Sequence, residues 1–228
     1  MRQKVIFQDL GLTDYFETWQ FQTEIHNRLK EDKKSMNNLN PPHTLIFCEH
    51  HAVFTLGRSG SLQNLIVSPE YLAENNIQFY KINRGGDITY HGPGQIVGYP
   101  IFDLDFFFND VHKYVRLLEE SVIQTLQYYN ITGHREPGYT GVWIKRGNEK
   151  RKICAIGVHL SRWVSLHGFA FNINTNLDHF NYIIPCGIKE EGKSVTSLEK
   201  ELGEKQNMFE IKHILKTKIS SIFEFDML

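Results

Sequence analysis

GVWIKRGNEKRKICAIGVHLSRWVSLHGFAFNIN, residues 141–174, decides the architecture. Residues 141–145, 152–160 and 163–174 read as three strands, and the charged turn Arg146-Gly147-Asn148-Glu149 joins the first two as a hairpin. Upstream, the runs 44–48, 52–56, 77–82, 87–91 and 96–101 are short and β-rich, the last two on either side of the tight turn Gly92-Pro93-Gly94. Between these groups Val111, Val115, Leu118, Val122 and Leu126 recur at helical spacing, which predicts a helix over 110–129 capped by Asn109 or Asp110. Tyr15, Phe16, Trp19, Ile25 and Leu29 predict another over 13–30, capped by Thr13 or Asp14 and followed by an exposed polar connector, 31–42. Downstream, Thr196-Ser197-Leu198-Glu199 matches a capping box, and Ile211, Leu215, Ile219 and Ile222 mark a last helix over 208–223. Hairpin-like groups separated by helices favour an α+β fold over a doubly wound parallel sheet. The expectation is a mixed, largely antiparallel β-sheet core with flanking helices.

Composition narrows the function. A chain of 228 residues suits one domain, 1–228, and 41% hydrophobic with 22% charged residues is globular rather than disordered. Twenty-five basic residues against 26 acidic ones give a net charge of −1, so no bulk attraction to nucleic acid or anionic lipid is expected. The beginning of the chain lacks the apolar run of a secretion signal, and no stretch approaches the ~20 residues needed to cross a bilayer, so a cytoplasmic location is expected. Cys48, Cys154 and Cys186 form no CxxC pair, which suggests neither a disulfide framework nor a structural zinc site. No phosphate-binding glycine motif opens a helix, and no cofactor or metal is expected.

Four segments could carry chemistry. Arg84-Gly85-Gly86-Asp87-Ile88-Thr89-Tyr90-His91-Gly92-Pro93-Gly94-Gln95 lets backbone approach a ligand while polar groups gather beside it, although a glycine-rich turn satisfying its own amides would read the same way. Cys186, between Pro185 and Gly187, sits on an irregular turn rather than a packed face, whereas Cys48 within Leu45-Ile46-Phe47 reads as a small buried hydrophobe. Lys152 opens an apolar strand and is either functional or a solvated strand end. In His167-Gly168-Phe169-Ala170-Phe171-Asn172 the small residues leave room for a cleft wall or for close sheet packing.

Together with Gly138-Tyr139-Thr140-Gly141-Val142-Trp143, Lys152-Ile153-Cys154-Ala155-Ile156-Gly157 and Pro185-Cys186-Gly187-Ile188, these blocks closely resemble the lipoyl(octanoyl) transferases over residues 45–198. The resemblance implies the α+β fold of the biotin and lipoate protein ligases, with Cys186 as the acyl-accepting nucleophile and Lys152 as its activating partner. It places the acyl chain against Arg84, Gly85, Gly86, Asp87, Ile88, Thr89, Tyr90 and His91, against Ala155, Ile156 and Gly157, and against Gly168, Phe169 and Ala170. The implied donor is octanoyl-acyl carrier protein. The implied acceptors are lipoyl domains of 2-oxoacid dehydrogenase complexes and the glycine cleavage H protein. An ATP-dependent ligase on the same fold and a carrier-binding module without chemistry are the rivals. Strand alternation would put Cys154 on the face of Lys152, so it stands as a possible pocket residue. Lys150, Arg151 and Arg58 are the expected members of a basic patch for an acidic carrier.

Overall fold

The computed structural model describes residues 2–34, 42–184 and 192–228. Asp14 starts the first helix, α1 (Tyr15–Lys34), by accepting the amides of Phe16 at 2.7 Å and Glu17 at 3.1 Å. That helix runs on to Lys34, and Lys33 Nζ fastens its last turn by donating to Asp103 Oδ1 at 2.8 Å and to the Arg162 carbonyl at 2.7 Å. The rest of the expected connector, 35–41, lies outside the described residues.

Among the described residues nine strands form the main sheet. They are β1 (Gln3–Thr13), β2 (His43–His50), β6 (Gln95–Ile101), β7 (Gly133–Glu136), β8 (Tyr139–Arg146), β9 (Glu149–Ser161), β10 (Val164–Asn172), β11 (Lys193–Val195) and β12 (Phe225–Met227). The order is β12-β1-β2-β6-β10-β9-β8-β7, with β11 also pairing β9. From β2 to β7 every neighbour is antiparallel, while β1 runs parallel to β2 and β12, and β11 parallel to β9. A second sheet joins β3 (Val53–Leu56) to β4 (Gln78–Lys81) and β5 (Ile88–His91), with the short helix α2 (Pro69–Glu74) leading into β4. The fold is therefore α+β, as the hairpin grouping predicts.

Alternation on the strands sorts side chains into two layers. Leu45 and Phe47 of β2 and Phe169 and Phe171 of β10 join a core with α3 (Val111–Tyr128) and α5 (Met208–Phe223). Ile46, Cys48, Val97, Tyr99 and Leu166 pack with Ile25 and Leu29 of α1 on the opposite face. Asp110 caps α3 by accepting the Lys113 amide at 3.0 Å.

In three places the structure corrects the sequence reading or adds to it. Strands β5 and β6 do not pair across Gly92-Pro93-Gly94; the turn hands the chain from the small sheet to the large one. Gly94, at φ +79°, makes this possible, since a Cβ there would lie 2.4 Å from the Asn174 carbonyl oxygen. Second, α4 (Leu198–Leu202) is capped by Ser197, whose hydroxyl accepts the Lys200 amide at 3.2 Å, while the Thr196 hydroxyl donates to Glu201 Oε1 at 2.7 Å. Third, β1, β7, β11 and β12 have no counterpart among the strands read from the sequence.

Candidate active site

A cavity of about 350 Å³ opens between the two sheets, and a bulge in β9 determines which of that strand's residues form its floor. Val142 pairs Cys154, yet Trp143 pairs Lys152, so Ile153 is an extra residue on β9 and alternation reverses there. Lys152 consequently shares the cavity with Ala155 and Gly157. Cys154 goes to the helical core, fully buried, which corrects the reading that kept it as a possible pocket residue. Across the ladder Ala155 pairs Ala170, which in turn pairs Val97, and Gly157 pairs Gly168. Small side chains thus leave an open groove over β9 and β10.

The roof is the Arg84-Gly85-Gly86 turn. Gly85 N–H donates to the Val158 carbonyl at 3.0 Å, and this approach is why Gly157 must lack a side chain: a Cβ there would sit 2.8 Å from the Gly85 oxygen. Arg84 is buried and held to Thr55, donating from Nη2 to its carbonyl at 2.6 Å and its hydroxyl at 3.0 Å. Asp87 lines the cavity, but its carboxylate ties down the neighbouring loop through the Ile88 amide at 2.7 Å, the Ser61 amide at 3.2 Å and the Asn64 side chain. Gly86, Ile88, Thr89 and His91 line the wall with them, as do Ile156, Gly168 and Phe169 from the floor strands. Tyr90 does not: it is buried on the far side of β5, stacked on His179 with ring centroids 4.6 Å apart.

Buried polar groups join roof to floor. His91 Nδ1 lies 2.8 Å from Gln95 Oε1, Gln95 Nε2 donates to Asn172 Oδ1 at 2.8 Å, and Asn172 Nδ2 donates to the Thr196 carbonyl at 3.0 Å. The Thr196 amide donates in turn to the carbonyl of Lys152 at 2.9 Å. Burial, with the nearby His50 and Arg84, pulls His91 down to about 3; burial and Arg84 do the same to His167, also to about 3. Both rings are neutral at physiological pH. His167 adopts φ +61°, and its Nε2 lies 2.8 Å from Asn83 Oδ1.

Lys152 Nζ stands 4.7 Å from the centroid of the buried Trp143 ring. Burial pushes the Cys48 and Cys154 thiols well above the ordinary thiol range, so neither is a ready thiolate. Cys186 lies outside the described residues. The expected basic patch is altered: Lys150 pairs with Glu136, and Arg151 pairs with Glu149 at 2.6 Å and Glu201 at 3.4 Å. Arg58 has no ion pair among the described residues. Sequence reasoning missed Tyr15, Val97 and Tyr99 as cavity residues, and it placed Gln95 and Asn172 in candidate segments without giving either a role. Gln95 and Asn172 sat inside the quoted motifs, but nothing in their spacing reveals that they bond each other.

The family model described as lipoyl protein ligase A/B catalytic domain matches residues 14–220. An octanoyltransferase of Christiangramia forsetii is 49% identical over 233 residues, covering 100% of this chain and 99% of that protein. An octanoyltransferase of Flavobacterium psychrophilum is 51% identical over 230 residues, covering 98% of each. Among solved structures, a bipartite lipoate protein ligase of Thermoplasma acidophilum superposes with a TM-score of 0.70 at 16% identity, covering 100% of this chain and 86% of that one. A lipoate-protein ligase A bound with ATP gives 0.68 at 15% identity, covering 100% and 90%. At such identities these structures speak for the fold alone.

Proposed function

Because the chain belongs to the lipoyl protein ligase A/B catalytic-domain family and is about half identical along its length to octanoyltransferases, we propose that it transfers an octanoyl group from a thioester donor to a lysine of lipoyl domains, in lipoate biosynthesis. It is an acyltransferase. The observation that carries the reading is the groove floored by Ala155, Ala170 and Gly157 with the Lys152 amine on the same wall: space for an unbranched chain beside a proton-transfer group. Its volume of about 350 Å³ is at the small end of the usual range for ligand pockets.

The Cys186 thiolate attacks the donor carbonyl, forming a carbon–sulfur bond, and the carbonyl pair moves to oxygen. When that pair returns, the donor's carbon–sulfur bond breaks and the Lys152 ammonium protonates the departing thiol. The neutral Lys152 amine then takes a proton from the acceptor lysine as that nitrogen attacks the acyl-cysteine and Cys186 leaves as thiolate. One thioester replaces another and an amide follows, so the sequence runs downhill without a nucleotide. The burial of Cys48 and Cys154 as protonated thiols favours the remaining cysteine in this role. The donor is octanoyl-acyl carrier protein, and the acceptors are the lipoyl domains of 2-oxoacid dehydrogenase complexes and the glycine cleavage H protein.

The test incubates the protein with an apo lipoyl domain and either octanoyl-acyl carrier protein without ATP or free octanoate with ATP. Octanoyl-lipoyl domain forms only in the first mixture. Product only in the second would make this an adenylate-forming ligase.

A further inference from the structure

Attack on a thioester places a full charge on the carbonyl oxygen, and a water-excluded site needs a preorganised donor aimed at it. Asn172 ends β10, where its neighbours Phe171 and Gln95 fix its place: Phe171 pairs Cys154, so Asn172 lies alongside the Lys152 end of β9. It lines the cavity with Lys152 and is almost wholly buried.

The orientation of its amide is forced by two carbonyls that can only accept. Gln95 Nε2 donates to the Tyr90 carbonyl at 3.2 Å, which fixes the Gln95 nitrogen toward Asn172 as well and so requires the Asn172 oxygen to face it. The Asn172 nitrogen then meets the Thr196 carbonyl at 3.0 Å; a flipped amide would set oxygen against oxygen there and nitrogen against nitrogen at Gln95. The same logic puts the proton of neutral His91 on Nδ1, donating to Gln95 Oε1. Of the two hydrogens on Asn172 Nδ2, one goes to Thr196, and the other has no partner among the described residues.

We propose that this second amide hydrogen of Asn172 donates to the acyl carbonyl oxygen as the tetrahedral intermediate forms, making Asn172 a catalytic residue of both half-reactions. The inference rests on the acyl-transfer reading above. As the nucleophile's pair forms its bond to the acyl carbon, the carbonyl π pair becomes the alkoxide that Asn172 receives. As that pair returns, the leaving sulfur departs and the hydrogen bond relaxes. Gln95 and His91 act through Asn172 and are positioning residues.

Two rates separate this role from a merely structural one: single-turnover acylation by octanoyl-acyl carrier protein, and alkylation of Cys186 by iodoacetamide, a substitution that creates no oxyanion. In Asn172→Ala and the isosteric Asn172→Asp, acylation should fall about 10²-fold or more, the scale of a lost oxyanion donor, with little change in KM for the donor and with alkylation within about 3-fold of wild type. Asn172→Ser, which keeps a shorter donor and serves if the other variants do not fold, should fall between them and wild type. Acylation by folded variants within about 5-fold of wild type, or alkylation that falls in step with acylation, would overturn the proposal. A wild-type protein that transfers no octanoyl group would remove the acyl-transfer reading itself; an active wild type with active Asn172 variants would remove only this inference.

Discussion

The two faces of the main sheet are built from the same strands and bury different chemistry. Toward α3 and α5 the core is a continuous apolar cluster that includes Leu118, Val122, Phe171, Leu215 and Phe223. Toward α1 and the small sheet, the buried set includes Thr18, Gln22, His26, His50, His91, Gln95, His167 and Asn172. The helical face contributes hydrophobic stability, and the polar groups it buries sit at its edges: Glu119 accepts the Gly141 amide at 3.0 Å, while His43 Nε2, among Phe102, Phe106 and Phe107, has no hydrogen-bond partner among the described residues. The other face gives up apolar burial for hydrogen-bonded side chains that hold a cavity open. One bulge at Ile153 decides to which face each residue of β9 belongs, and so separates the amine of Lys152 from the thiol of Cys154.

If the faces divide labour in this way, substitutions on them should separate activity from stability. The largest effect is expected for Lys152→Ala: turnover falls by at least ~10²-fold, the scale of a lost general acid–base group, while the melting temperature changes little. Lys152→Arg does not rescue it, since a guanidinium keeps the charge but cannot give up a proton for the second half-reaction. Steady-state kinetics on both variants check this, and wild-type turnover in the arginine variant would make Lys152 only an electrostatic partner. On the helical face, Leu118→Ala should cost about 2–5 kcal/mol in denaturant unfolding and leave kcat of the folded protein unchanged.

Acid should act through the polar face. His50, His91 and His167 are depressed by burial to about 4, about 3 and about 3, against 6.5 for a free imidazole. The unfolded chain therefore binds protons that the folded one refuses. Stability is fully present above pH 6.5 and is lost as pH falls from there toward 3, by on the order of 1 kcal/mol per pH unit per histidine. Unfolding midpoints measured from pH 7.5 to 5 should drop, and a flat profile would contradict neutral burial. The smallest effect is expected at the strand end: Lys150→Gln and Arg151→Gln should each change stability by no more than about 1 kcal/mol. They should leave the salt dependence of kcat/KM for the carrier unchanged, because Glu136, Glu149 and Glu201 already neutralise these cations. A steeper effect at Lys150 and Arg151 than at Arg58→Glu would return the carrier's footprint to β9.

What could be read in the sequence follows the same division. Helices α3 and α5 were legible because their apolar residues face a uniform core at the helical period. In α1 the buried stripe contains Thr18, Gln22 and His26, whereas Phe16 is 43% exposed, so hydrophobic periodicity located the helix and misassigned its face. Strand β1 was invisible because Gln3, Lys4, Gln8 and Asp9 break any apolar alternation; it is held by parallel pairing to β2 and to β12 from the far end of the chain. Gly92-Pro93-Gly94 announced a turn, but not that its two strands would enter different sheets. At the site, the glycine-rich roof and the small residues of β9 and β10 were readable as room for a ligand. The Gln95–Asn172 bond spans distant parts of the chain, and the bulge at Ile153 depends on register; neither leaves a local signal.

The most direct measurement is intact mass after incubation with octanoyl-acyl carrier protein in the absence of ATP, followed by peptide mapping of any adduct. One octanoyl mass, removable by hydroxylamine, should appear on Cys186; it should vanish in Cys186→Ser and persist in Cys48→Ser and Cys154→Ser. An adduct mapped to Cys154 would contradict both the chemistry and the sorting of faces, and the lack of any adduct in a protein that still transfers octanoate would rule out the covalent route.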